Sequence, residues 1–241
     1  MPEVSVIVPA LNEEKRIRAC LESLRAQKFG GDFEVVVADG KSGDHTAEIA
    51  VGLADRVVTE ARRSAAFERQ KGALAARGKV LAFTDADAVC PRDWLENLCK
   101  PFSGKGVAAT YGNVFLSEGS QAEKAFVRVL VSSYLGASSL LGMPMPIGSN
   151  MAVSREAFNR VGGFDTRLVT SEDIDLAKRV QAIGRVVYAP EAVVRVSNRR
   201  LRAWGYGKFL SYHVSNAFRY RLLGHAHFEY IIHNLFPHSG E

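Results

Sequence analysis

Cysteine is scarce: Cys20, Cys90 and Cys99 are too few and too far apart in 241 residues for a disulfide framework or a zinc site, and read as reduced thiols on helix faces. Long apolar runs are also missing. The longest charge-free stretch, Val129 to Ser154, is broken by serines and by Gly136, Gly142, Pro144 and Pro146, which makes it a poor bilayer-spanning helix. The opening MPEVSVIVPA lacks a basic region and a small-residue cleavage site, so no secretory signal is read and cytoplasmic folding is expected. Neither G-x-G-x-x-G nor G-x-x-x-x-G-K-[ST] occurs, which argues against a dinucleotide dehydrogenase or a P-loop protein. No repeat, linker or low-complexity segment divides the chain. Its 47% hydrophobic and 24% charged content is that of a globular protein, read as one domain with a C-terminal extension.

Net positive charge is absent from most of the sequence. From Arg195 onward seven Lys/Arg stand against two Asp/Glu, which accounts for the whole formal charge of +5. This tail also holds five of the six histidines, His213 among them, between Trp204, Tyr212, Tyr220 and other aromatics. A basic, aromatic surface of this kind suits phosphates or anionic lipid, and equally describes a solvated helix packed on the body.

Val4–Val8 is a continuous β-branched run, the pattern of a strand buried on both faces. After it Asn12 is expected to cap a helix bearing Ile17, Cys20, Leu21 and Leu24, with Glu13 and Glu14 in its first turn. Strand signals recur at 33–38, 56–60 and 79–84. Helices are expected from Asp44 through Ala54 and over Ser64–Arg77, the latter with an apolar side of Ala65, Phe67, Ala73, Leu74 and Ala76. Such alternation predicts an α/β fold, an open sheet flanked by helices. Farther on, strands are expected at 106–116, 149–153 and 185–196 and helices at 121–141 and 171–183, with mixed strand order.

Ligands of open α/β sheets bind at the carboxyl ends of the strands. Three polar clusters fall there: Pro9–Asn12, Asp39–Asp44 and Asp85-Ala86-Asp87. The alternating carboxylates Asp85 and Asp87 suit one hard cation, Mg²⁺ or Mn²⁺, which completes its shell with water and substrate phosphates. Asp39, at a strand end, can accept hydrogen bonds from a nucleobase or ribose, whereas Asp44 is most simply a helix cap. Ser171-Glu172-Asp173-Ile174-Asp175 opens a helix with three acids, which complements the helix dipole and sets Asp175 four residues before Arg179. One of these acids, partly desolvated beside a substrate hydroxyl, could serve as general base.

The segments VSVIVPALNEE, VVVADGKSGDHTAEIA, FTDADAVCPRDWL, GSNMAVSREAFNRVGGFD and SEDIDLAKRV, taken in order, resemble the family 2 glycosyltransferases of the GT-A fold over about residues 3–190. The resemblance implies a Rossmann-like, mainly parallel sheet over residues 1–197, with 198–241 as a helical extension. It also implies transfer of a sugar, with inversion, from a nucleoside diphosphate sugar (a UDP- or GDP-sugar) to an acceptor hydroxyl or a polyprenol phosphate.

By position, Pro9, Ala10, Leu11 and Glu13 match the nucleotide-contacting first loop and Asp39 the base-binding acid. Arg69 and Gln70 match a segment beside the nucleotide, Asp85 with Ala86 a ribose or nucleotide contact, and Asp87 the principal metal ligand. Gly148, Ser149 and Asn150 match the lining of the donor sugar and acceptor, Asp173 the general base and Glu172 its neighbour. His213 is a candidate to complete the metal site. Val89 stands where polyprenol-phosphate sugar synthases often carry Gln, and Arg199-Arg200-Leu201-Arg202-Ala203-Trp204 departs from the Gln/Arg-x-x-Arg-Trp of processive synthases. The expected partners are the donor and its acceptor, without nucleic acid; the tail leaves room for contact with the inner face of a membrane or for a homodimer.

Overall fold

A computed structural model describes residues 1–168, 170–205, 207, 208, 211, 212, 215, 216, 219 and 220. The histidines of the tail, His213 included, lie outside the described residues, as do Tyr206, Phe209 and everything beyond residue 220.

The sheet is mixed and mainly parallel on one side. Strands β1 (Val4–Ala10), β2 (Phe33–Asp39), β3 (Arg56–Thr59), β4 (Val80–Phe83), β5 (Ala88–Val89), β6 (Val107–Leu116), β7 (Met151–Ser154) and β8 (Arg185–Val196) lie in the order β3-β2-β1-β4-β7-β6-β8-β5. The first four pair in parallel; β7 enters antiparallel to both β4 and β6, and β6 runs parallel to β8. Strand β1 is buried along its whole length, its one polar side chain, Ser5, donating to Glu34 Oε1 at 2.7 Å.

Alternation along β1 divides the core into two layers. Val6 and Val8 pack with Ile17, Leu21 and Leu24 of α1 (Ile17–Arg25), with Ala50 of α2 (Thr46–Val51), and with Leu95 and Leu98 of α4 (Trp94–Cys99). Ile7, on the opposite face, joins the cluster formed with α3 (Ala65–Ala75), α5 (Gln121–Leu140), α6 (Arg155–Arg160) and α7 (Glu172–Gln181). Helix α8 (Arg199–Trp204) follows the last strand. Among the described residues no helix is long and apolar enough to cross a membrane.

Several expectations need correction. Asn12 does not cap α1, which starts only at Ile17; Asn12 takes φ 54° and its Oδ1 accepts the Gly43 N–H at 2.9 Å, tying two loops together. Helix α2 stops at Val51, short of Ala54. The strand expected at 149–153 begins only at Met151 and runs to Ser154, because Asn150 N–H closes a turn onto Ile147 O at 2.8 Å. Cys90 follows β5 and is not on a helix.

Helix α3 differs most. Leu74 is 68% exposed, and the buried face is Ala66, Glu68, Arg69, Gly72 and Ala73. A Cβ at Gly72 would lie 2.5 Å from Ile7 Cγ2, so glycine lets this helix approach β1 closely enough to bury two charged side chains at the sheet's rim.

Candidate active site

Parallel register places the first acids side by side. Ala10 of β1 is level with Asp39 of β2, and Gly40 N–H donates to Ala10 O at 2.7 Å. The loops that follow are laced together: Asn12 N–H donates to Ser42 Oγ, Glu13 N–H to Thr46 Oγ1, and Glu14 N–H to Asp44 Oδ2, at 2.9, 2.7 and 3.1 Å. Asp44 Oδ1 also accepts the N–H of Thr46, the first residue of α2, and so fastens that helix. Burial pushes the Asp44 carboxyl up, but the hydrogen bonds from Thr46 and Glu14 outweigh it and hold it below the usual carboxylate range.

Asp39 is only 3% exposed, and one oxygen, Oδ2, accepts the Ser42 N–H at 3.1 Å. Oδ1 is buried without a hydrogen-bond partner. A buried orphan acceptor is costly unless a ligand donor meets it, which fits the base-binding role expected of Asp39.

Arg69 joins the two acidic motifs. From α3 it donates through Nη2 to Asp85 Oδ1 at 2.7 Å and through Nη1 to Glu172 Oε1. Burial disfavours its charge, but Asp85, Glu172 and Asp173 more than restore it and raise its pKa. Gly148 makes room: a Cβ there would lie 2.8 Å from the guanidinium carbon. Gly148 N–H in turn donates to Asp173 Oδ2 at 2.7 Å, and Asp173 Oδ1 accepts the Ile174 N–H at 2.8 Å. Burial lifts both Glu172 and Asp173 above the ordinary carboxylate range, against the pull of Arg69. Two adjacent carboxyls, one of them on a guanidinium and the other on backbone amides, therefore have different environments on one helical turn.

The start of α7 is held from the far end of the chain. Ser171 adopts a left-handed φ of 65°, uncommon for serine, and Asn216 Nδ2 donates to Thr170 Oγ1 and Ser171 Oγ at 2.7 and 3.1 Å. Tyr220 Oη donates to Asp175 Oδ1 at 2.6 Å. Asp175 also accepts from Arg179 Nε at 2.9 Å, the pair expected from their spacing.

Asp87 and Glu13 share a cation that sequence reasoning passed over. Arg199 Nη2, on α8, is 3.4 Å from Asp87 Oδ2 and also pairs with Glu13 Oε1. The one signal for it was that the chain's positive excess starts at Arg195. Among the described residues, no three His, Cys, Asp or Glu side chains gather as a metal-binding group. Asp85 and Asp87 each face a guanidinium, Arg69 at 2.7 Å and Arg199 at 3.4 Å.

Other expected residues face elsewhere. Asn150 is fully buried: its Nδ2 donates to Asn113 O and Ala192 O at 2.7 and 2.8 Å, and its Oδ1 accepts the Trp94 indole N–H at 2.8 Å. Its side chain ties together α4, β6 and β8. Gln70 Oε1 accepts the Phe164 N–H at 2.8 Å, supporting the Gly163 turn. Pro9, Ala10, Ala86 and Ser149 are buried at the rim, and Leu11 is partly exposed.

Residues 5–162 match the model of glycosyl transferase family 2. The chain belongs to this family. It is 28% identical over 196 residues to the glycosyltransferase AglE of Haloferax volcanii, covering 76% of this chain and 63% of that protein. It is 30% identical over 213 residues to the pre-mycofactocin glycosyltransferase of Mycobacterium tuberculosis, covering 84% of this chain and 44% of that protein. Among solved structures, the mannosyltransferase PcManGT of Pyrobaculum calidifontis, in complex with GDP-Man and Mn²⁺, superimposes with a TM-score of 0.66 at 27% identity, over 90% of this chain and 64% of that one. Glucosyl-3-phosphoglycerate synthase of Mycobacterium tuberculosis shares the fold, with a TM-score of 0.61 at 21% identity over 90% of this chain and 77% of that one. The fold of this family 2 chain is therefore GT-A.

Proposed function

We propose that this family 2 chain is an inverting glycosyltransferase that uses a UDP- or GDP-sugar and a divalent metal, with Asp173 as general base. The observation that carries the reading is the Arg69 bridge, which draws Asp85, at the nucleotide end of the rim, to the helical turn that presents Asp173. The GDP-Man and Mn²⁺ of the mannosyltransferase neighbour support the donor and metal classes.

In this reading the base seats against Asp39 and the first loop, and the diphosphate lies toward Asp87. A metal held by Asp87 and Asp85 would neutralise charge on the leaving diphosphate. Arg199, already beside Asp87, supplies positive charge from the chain itself. Asp173 takes the acceptor's hydroxyl proton while the acceptor oxygen bonds to the anomeric carbon and the bond to the diphosphate breaks from the opposite face. Its raised proton affinity, caused by burial, suits it to that transfer. Where the acceptor is a lipid phosphate, its oxygen is the nucleophile and the proton step falls away. Of the tail, the described residues Asn216 and Tyr220 bond to the start of α7, which carries the base.

The test is a thermal-shift panel of UDP- and GDP-sugars with and without Mn²⁺, followed by an assay of transfer with the stabilising donor. Metal-dependent stabilisation and transfer support the reading; stabilisation without transfer to hydroxyl or polyprenol phosphate acceptors favours a nucleotide-sugar-binding protein of the same fold.

A further inference from the structure

A carboxyl that the reaction above leaves unused faces the corner where β2 ends. Glu68 of α3 is 5% exposed, and its oxygen presses on Gly40 so closely that a Cβ there would lie 2.3 Å from Glu68 Oε1. Leu11 closes the other side, 3.4 Å from the same point. Gly40 follows Asp39 directly, so Leu11, Asp39 and Glu68 surround one small corner of the rim. Among the described residues the Glu68 carboxyl has no hydrogen-bond or ion-pair partner, although Arg69 is its chain neighbour; that guanidinium is committed to Asp85 and Glu172. Beside it, Asp39 Oδ1 is the buried acceptor without a donor.

Burial pushes Glu68 up to about 8; Arg69 opposes the shift, while Asp39, Asp85 and Glu60 add to it. At neutral pH this side chain is therefore mainly the neutral acid, an O–H donor next to an acceptor. A ring that presents an N–H beside a carbonyl complements that pair, and uracil and guanine both do so.

We propose that Glu68 is a second base-reading residue, donating its O–H to the ring carbonyl that flanks the N–H accepted by Asp39. The inference rests on the donor class proposed above and deepens it. It also explains the glycine after Asp39, since any side chain there would displace Glu68.

The experiment measures dissociation constants of UDP, GDP and inorganic diphosphate, each with Mn²⁺, for the full chain and for Glu68→Ala and Glu68→Gln. Glu68→Ala is expected to weaken binding of the preferred nucleotide about tenfold, the effect of one lost hydrogen bond, and to leave diphosphate binding unchanged. Glu68→Gln, which keeps a neutral donor, should stay within about threefold of the unaltered chain. Raising the pH from 7 to 8.5 should weaken nucleotide binding about threefold in the unaltered chain and not in Glu68→Gln. Unchanged nucleotide affinity in Glu68→Ala, an equal loss for nucleotide and diphosphate, or a Glu68→Gln variant as weak as Glu68→Ala would each overturn the proposal. Failure of the unaltered chain to bind either nucleotide would instead overturn the donor assignment on which it rests.

Discussion

Arg199 lies 3.4 Å from Asp87 and also pairs with Glu13, so a cation from the second half of the chain sits against the carboxylate expected to hold the metal. Loss of this guanidinium removes a countercharge that Asp87 and Glu13 share. Arg199 remains partly exposed, so its contribution is modest, about 1 kcal/mol. Arg199→Ala is expected to lower Tm by about 3 °C without metal, and millimolar Mn²⁺ should restore it. A Tm unaffected by the substitution would show that the pair is neutral in energy.

Arg69 is a different case because it is buried between its partners. Arg69→Met strands Asp85 and Glu172 without countercharge and should cost about 3–5 kcal/mol, a fall in Tm of about 10 °C by calorimetry. Arg69→Lys should recover only part of this, since one ammonium cannot span both carboxyls as a planar fork does.

Asp173→Asn keeps the shape of the side chain and the hydrogen bond accepted from Gly148, but cannot take a proton. Donor affinity should stay within about threefold, while transfer to a hydroxyl acceptor falls by about 10²–10⁴. Sustained transfer in a single-turnover assay would remove Asp173 from the base role.

Glu68 also makes a pH signature. Its pKa is raised in the folded chain, from an ordinary 4.5 to about 8, so between those values the folded state binds more protons than the unfolded state. Stability must then fall as pH rises across that window. Glu68→Gln should flatten the decline and raise Tm at pH 8 by about 5 °C relative to the unaltered chain; parallel Tm-versus-pH curves would show that Glu68 ionises normally.

Gly148→Ala tests the crowding beneath the base. A methyl 2.8 Å from the Arg69 guanidinium must displace it, at about 1–3 kcal/mol. Transfer should fall more than donor affinity, since Gly148 also donates to Asp173.

Much of the sheet was legible from its β-branched runs: Val4–Val8, buried on both faces, could only be an inner strand, and β8, though partly exposed, has the bounds, Arg185–Val196, that its sequence suggested. The rim acids were legible for a similar reason, since topology sends strand ends to one edge. The buried face of α3 was not. Charged residues are solvated by default, so the pattern put Leu74 in the core, and only the close glycine contact at Gly72 turns Glu68 and Arg69 inward instead. Arg199 was hidden because its partners are 112 and 186 residues away, beyond any local pattern. Asn150 matched a motif by position, yet its amide meets three partners from elsewhere in the fold.

The hydrogen bonds from Asn216 and Tyr220 set an order on the chain's maturation. During synthesis the sheet through β8 is complete some twenty residues before Asn216 has left the ribosome, so the turn at Thr170–Ser171 waits for a clasp made later. A nascent or proteolytically shortened chain ending near residue 205 would carry the full rim of acids with its base-bearing turn unclasped.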